Sequence, residues 1–196
     1  MSERKYSVDN DLKEAQHMVE ALESYVYQNQ LYMPISGGGI FNPMPALTVG
    51  AVLLRLRRLR ALYEQLSPAQ RTTVDGLVEQ HEKVWNEWRV HYEKKLIEEG
   101  QSRLKLLSSY LQDCKEDPRA CAANYPAEVL RRTIVQEITE FMEHHGIHSA
   151  EIDRGIARVD SQLRGYVKAE GFLWSPTLQP VYPKEPFWWL YSEPQG

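Results

Sequence analysis

Apolar residues recur at intervals of three and four along most of the chain. Leu12, Ala15, Val19, Leu22 and Val26 make one stripe, the spacing of a helix with a single face turned inward. It predicts a first helix from Asp9 to about Tyr32, ended by Pro34. A second is predicted over 46–66. Ser67-Pro68-Ala69-Gln70 then supplies a serine cap, a proline at the first helical position and a glutamine placed for a capping box. The stripe Val74, Leu77, His81, Val84, Trp88 and Tyr92 resumes at Leu107, Leu111 and Cys114. Strong helix formers flank Gly100 on both sides, and a lone glycine costs only about 1 kcal/mol against alanine, so one long helix is predicted over 68–114. Asp117-Pro118 ends it. Pro126 opens a fourth helix over 126–145 that Gly146 closes, and Ser149 caps a fifth over 150–168.

From Gly171 the period disappears. FLWSPTLQPVYPKEPFWWLYSEPQG, rich in proline and aromatics, predicts an extended tail over 171–196, with at most a short strand near Val181. Trp174, Phe187, Trp188 and Trp189 are too large and apolar to be left in water, so the tail is expected to pack on the helices or on a neighbouring chain. The fold class is therefore all-α. A single helical domain over 1–170 is expected, a five-helix bundle-like assembly around one long central helix, with the tail strapped to it.

Composition narrows the function classes. With 23 Lys and Arg against 27 Asp and Glu, the net charge of -4 argues against a nucleic-acid partner, which calls for a basic face. No apolar run reaches the length of a membrane span, and MSERKYSVDNDL lacks the core of a secretory signal, so a cytoplasmic location away from membranes is expected. The only cysteines, Cys114 and Cys121, flank the turn in DCKEDPRAC. Their spacing suits neither a zinc knuckle nor a thioredoxin-like pair, and leaves open whether they are bridged.

Candidate chemistry is sparse. FMEHHGIH holds three histidines, but the stripe Leu130, Ile134, Ile138 and Phe141 continues to His145 and puts His144 on the outer face, whereas ligation needs converging side chains. Histidines in a last turn also suit the negative end of the helix. Glu14 and His17 are the only Glu-x-x-His pair, where a di-iron bundle needs two. No metal, cofactor or catalytic residue is assigned. The triplet Gly37-Gly38-Gly39 lacks the Lys-Ser/Thr of a phosphate loop and is expected to connect helices, with contact to a small ligand as its functional reading.

The remaining footholds are charged residues on apolar stripes. Val52, Leu59 and Leu62 share a face with Arg55, and an inward arginine needs a partner. Counting levels through the Ser67 turn sets Arg55 beside His81, and the first helix brings Glu23 near, so Glu23, Arg55 and His81 are expected to form one polar layer. Lys95, Glu99 and Arg103 interrupt the stripe of the long helix in the same way, with Arg103 level with Glu137. Two function classes follow. The favoured one is a non-enzymatic helical interaction or scaffold protein, homodimeric, with a further protein partner. The alternative is a small-ligand bundle, binding an anion or acting as an enzyme at Glu23, Arg55 and His81 beneath the glycine loop. Unpaired inward polar groups around a deep pocket would favour the ligand, and a filled core the partner.

Overall fold

The structure is a computed structural model that describes residues 3–37 and 44–195. The chain is all-α: among the described residues there are six α-helices and one small two-stranded sheet. It forms two compact units, Met1–Glu99 and Gly100–Gly196.

The first unit contains α1 (Val8–Tyr27), α2 (Val49–Ala61), α3 (Pro68–Glu87) and the start of α4 (Arg89–Asp113). Side chains cap the first three. Ser7 Oγ accepts from Asn10 N at 3.4 Å, and Thr48 Oγ1 accepts from Ala51 N at 3.1 Å. Ser67 and Gln70 complete the capping box that the sequence predicts. Met18, Leu22, Val52, Leu59, Val74 and Leu96 fill the core between the helices. α1 stops five residues before the predicted Tyr32, because Gln28 turns extended and its cap N–H bonds to Tyr25 O.

The helix predicted over 68–114 is two helices. It runs unbroken through Gly100 and bends instead at Trp88. The cause is a bond across the bend: His81 Nε2 lies 2.7 Å from Tyr92 Oη, eleven residues on. Eleven residues of straight helix rise about 16 Å, more than the two side chains span end to end. The helix must therefore bend for these buried polar atoms to meet, and Trp85 packs on Tyr92 from the same side at 5.4 Å.

The second unit holds the remainder of α4, then α5 (Pro118–His144) and α6 (Ala150–Tyr166). α5 begins at Pro118, two turns ahead of the predicted Pro126, which lies inside it. An internal proline removes a helix hydrogen bond, and the turns before it are held from outside. Cys114 and Cys121 form a disulfide, and Tyr110 Oη donates to Cys121 O at 2.8 Å. At the other end Gly146, with φ +68, lets Gly146 N reach Glu143 O and Ile147 N reach Met142 O, a Schellman closure.

Gly100 has a packing role. A Cβ built there would lie 2.8 Å from Ile152 Cδ1, and one built on Gly155 of α6 would lie 2.8 Å from Leu104 Cδ1. The two glycines thus let α4 and α6 approach closely. Gly100→Val is expected to cost about 1–3 kcal/mol by overpacking against Ile152. Urea unfolding checks this, and a variant as stable as the parent would show that the approach is loose.

The tail is more regular than predicted. Strand β1 (Val167–Ala169) pairs antiparallel with β2 (Ser192–Pro194), Lys168 opposite Glu193, and 3-10 turns occupy Pro176–Leu178 and Trp188–Tyr191. The strand near Val181 is absent; Val181 N bonds within a turn, to Leu178 O. The tail lies against its own α5. Trp189 Nε1 donates to Thr133 Oγ1 at 3.0 Å, and Tyr125 Oη donates to Trp189 O at 2.9 Å.

Candidate functional site

α2 is buried around most of its circumference, from Val49 to Leu56 and again at Arg58 and Leu59. A helix so enclosed cannot turn all its arginines to water, and carboxylates must come to meet them. Arg55 is 7 % exposed. Its Nε and Nη2 donate to Glu14 Oε2 at 2.8 and 2.5 Å, and Nη1 donates to Ala51 O at 2.8 Å. Arg58, one turn on and 2 % exposed, reaches Glu3 Oε2 at 2.6 Å and Asp11 Oδ2 at 3.6 Å. Asp11 also lies 4.0 Å from Arg55 Nε. Its burial outweighs the two guanidiniums and raises its carboxyl above the usual 3.8.

The expected layer of Glu23, Arg55 and His81 is not assembled as such. Arg55 is inward, but Glu23 is exposed on the outer side of α1, and its place is taken by Glu14. His81 is buried on α3 with Tyr92, whose hydroxyl burial holds well above its ordinary value, so it stays neutral beside the imidazole. The predicted stripe of α1 is inward at Ala15, Val19, Leu22 and Val26, and Asp11 and Glu14 escaped the sequence reading because they share that buried face without being apolar, as did Glu3 because it precedes the helix. The crowding of four arginines onto one enclosed helix was the available signal.

The second interruption is also inward. Lys95 is 2 % exposed and Glu99 fully buried. Lys95 Nζ donates to Gln28 O at 2.6 Å and Gln30 O at 2.9 Å, and lies over the Tyr25 ring. One turn later Glu99 accepts from Thr48 Oγ1 at 2.6 Å and from Gly50 N at 2.7 Å, so its carboxylate sits at the positive N-terminus of α2. The two side chains hold the two feet of the loop between α1 and α2, whose base is further tied by the Met33–Leu47 bridge. Gly37, at φ +118, adopts a backbone that favours glycine, and a Cβ there would meet His17 Nε2 at 2.8 Å. Gly38 and Gly39 lie outside the described residues.

Burial lowers the Lys95 amine below its usual 10.5. The folded chain then holds fewer protons than the unfolded one in that window. Stability should accordingly rise as pH climbs from the lowered value to 10.5, and this increment is missing at lower pH. Urea unfolding of the parent and of Lys95→Met is expected to diverge in the parent's favour between neutral pH and pH 10.5; parallel curves would place the amine in water.

In the second unit Arg103 and Glu137 are both buried, and Arg132 pairs with Asp160 through Nε at 2.7 Å and Nη2 at 3.0 Å. His144 is exposed, while His145 rests on Phe141 with its ring perpendicular to that of His144. No group of three metal-ligating side chains converges among the described residues, and no helix there is long and apolar enough to cross a membrane. Trp174, Phe187, Trp188 and Trp189, expected to pack on the helices or on a neighbouring chain, are all buried within the chain, with Arg132 over Trp189 and Arg164 over Trp188, each at 4.0 Å.

The class these features define is a helical protein whose inward charges are engaged by its own groups. Comparison with family models, curated proteins and solved structures finds no match to the chain.

Proposed function

We propose that the protein is a non-enzymatic helical interaction or scaffold protein that works as a homodimer and holds a further protein partner. One observation carries this reading: the charged groups turned into the first unit are occupied internally. Arg55 is taken by Glu14, Lys95 by two carbonyls, and Glu99 by Thr48 and Gly50. An anion entering at Arg55 would have to displace a carboxylate already bound through two nitrogens, which disfavours the small-ligand alternative. The dimer would arise by exchange of the tail between two copies, reusing the bonds that Trp189 makes to Thr133 and Tyr125 within one chain. A cytoplasmic location belongs to the same proposal, and the Cys114–Cys121 bond weighs against it, since thiols are kept reduced there.

Light scattering over a range of concentrations, with calorimetric titration of inorganic phosphate, tests this. A dimer mass and no saturable phosphate heat are expected. A monomer at all concentrations, or saturable phosphate binding lost in Arg55→Met, would overturn it.

A further inference from the structure

The first two turns of α5 are weakly joined to the rest of that helix. Between Pro118 and Tyr125 the only buried side chains among those described are Cys121 and Tyr125. Pro126 follows at once, and without an N–H it cannot make the helix bond to Ala122 O. The segment is instead fastened from outside, at its two inward residues. Tyr125 is 2 % exposed, and its Oη donates to Trp189 O at 2.9 Å. Cys121 is bonded to Cys114, just past the end of α4. That disulfide lines a surface recess of about 100 Å³ with Tyr110 and Asn124, which is where an attacking thiol would enter. The surroundings also suit the reduced form. Tyr110 Oη gives its own proton to Cys121 O at 2.8 Å and lies 3.1 Å from Cys121 Sγ, so a Cys121 thiol would find an acceptor already in place.

We propose that Cys114–Cys121 is a redox-active disulfide whose exchange with a dithiol releases the first two turns of α5. One thiolate of the dithiol attacks a sulfur of the bond to give a mixed disulfide, and the second then closes on the first. Two electrons and two protons pass to Cys114 and Cys121, and the dithiol leaves as a disulfide. Without the bond, 118–124 keeps little beyond its own exposed helix hydrogen bonds, and it opens as far as Tyr125, which Trp189 O still holds. α5 then starts at Pro126, the start that the sequence alone predicts. The switch is independent of the dimer and the partner proposed above. It also fits the bond to a reducing compartment, where disulfides form transiently and report on redox state.

Hydrogen exchange of the full chain, read by mass spectrometry before and after dithiothreitol and again after reoxidation, tests this without denaturant. Reduction should speed exchange about tenfold or more over 115–125, leave the rest of α5 and α6 unchanged, and be reversed by reoxidation. Cys114→Ser with Cys121→Ser should match the reduced protein. Pro126→Ala returns the missing helix bond, so it should slow exchange over 115–125 in the reduced protein, an effect foreign to a purely structural disulfide. A bond that dithiothreitol leaves intact, unchanged protection after reduction, exchange that rises across the whole second unit, or no slowing by Pro126→Ala would overturn the proposal.

Discussion

Arg55→Ala is expected to destabilise the protein by about 3–5 kcal/mol, the cost of leaving a buried carboxylate without its cation. Glu14 would lose both of its guanidinium bonds, Asp11 one of its two neighbouring cations, and Ala51 O its side-chain donor. Arg55→Met would restore the packed stem but not the charge, so it should remain well below the parent. Glu14→Leu combined with Arg55→Met removes both charges at once and should recover most of the loss, as apolar pairs commonly do when they replace buried ions. Urea unfolding measures all three. An Arg55→Ala effect within about 0.5 kcal/mol, typical of an exposed site, would mean that the pair is not buried.

The second large effect belongs to the tail. Trp189 is 1 % exposed and has Arg132 stacked on its ring, Phe187 and Trp188 at its edges and Thr133 on its indole nitrogen. Trp189→Ala is expected to cost about 3–5 kcal/mol through the cavity it leaves. Part of that loss is one buried hydrogen bond: Thr133 Oγ1, on α5, would lose the indole donor and keep only its own bond to Val129 O. Thermal melting with circular dichroism should show a clear fall in midpoint for Trp189→Ala and almost none for the exposed Lys184→Ala. Equal melting of the two would detach the tail from the fold.

How far the sequence revealed this depended on what each signal encodes. Helical periodicity marks class and caps well, since both are local: the Ser67 box and the Gly146 closure stand where their residues predict. The bend at Trp88 was invisible because the inward stripe keeps its phase across it, and the bond that forces it joins residues eleven apart. The early start of α5 was hidden by Pro126, which reads as a beginning when nothing shows the disulfide steadying the turns before it. Arg55 was legible as inward from its apolar neighbours. Its partner was not, because counting levels through the long loop between α1 and α2 does not fix where along α1 that loop departs. In fact its two feet are held one helical turn apart, at Lys95 and Glu99, and the count slips along α1 from Glu14 to Glu23.

That slip also defines the decisive measurement, a pair of double-mutant cycles joining Arg55→Met to Glu14→Gln and to Glu23→Gln, each followed by urea unfolding. If the inward charges of the first unit are held by the chain's own groups as described, Arg55 and Glu14 should couple by about 1 kcal/mol or more and Arg55 and Glu23 by nothing measurable. Coupling to Glu23, or to neither carboxylate, would contradict it and return Arg55 to the list of groups free to hold a ligand.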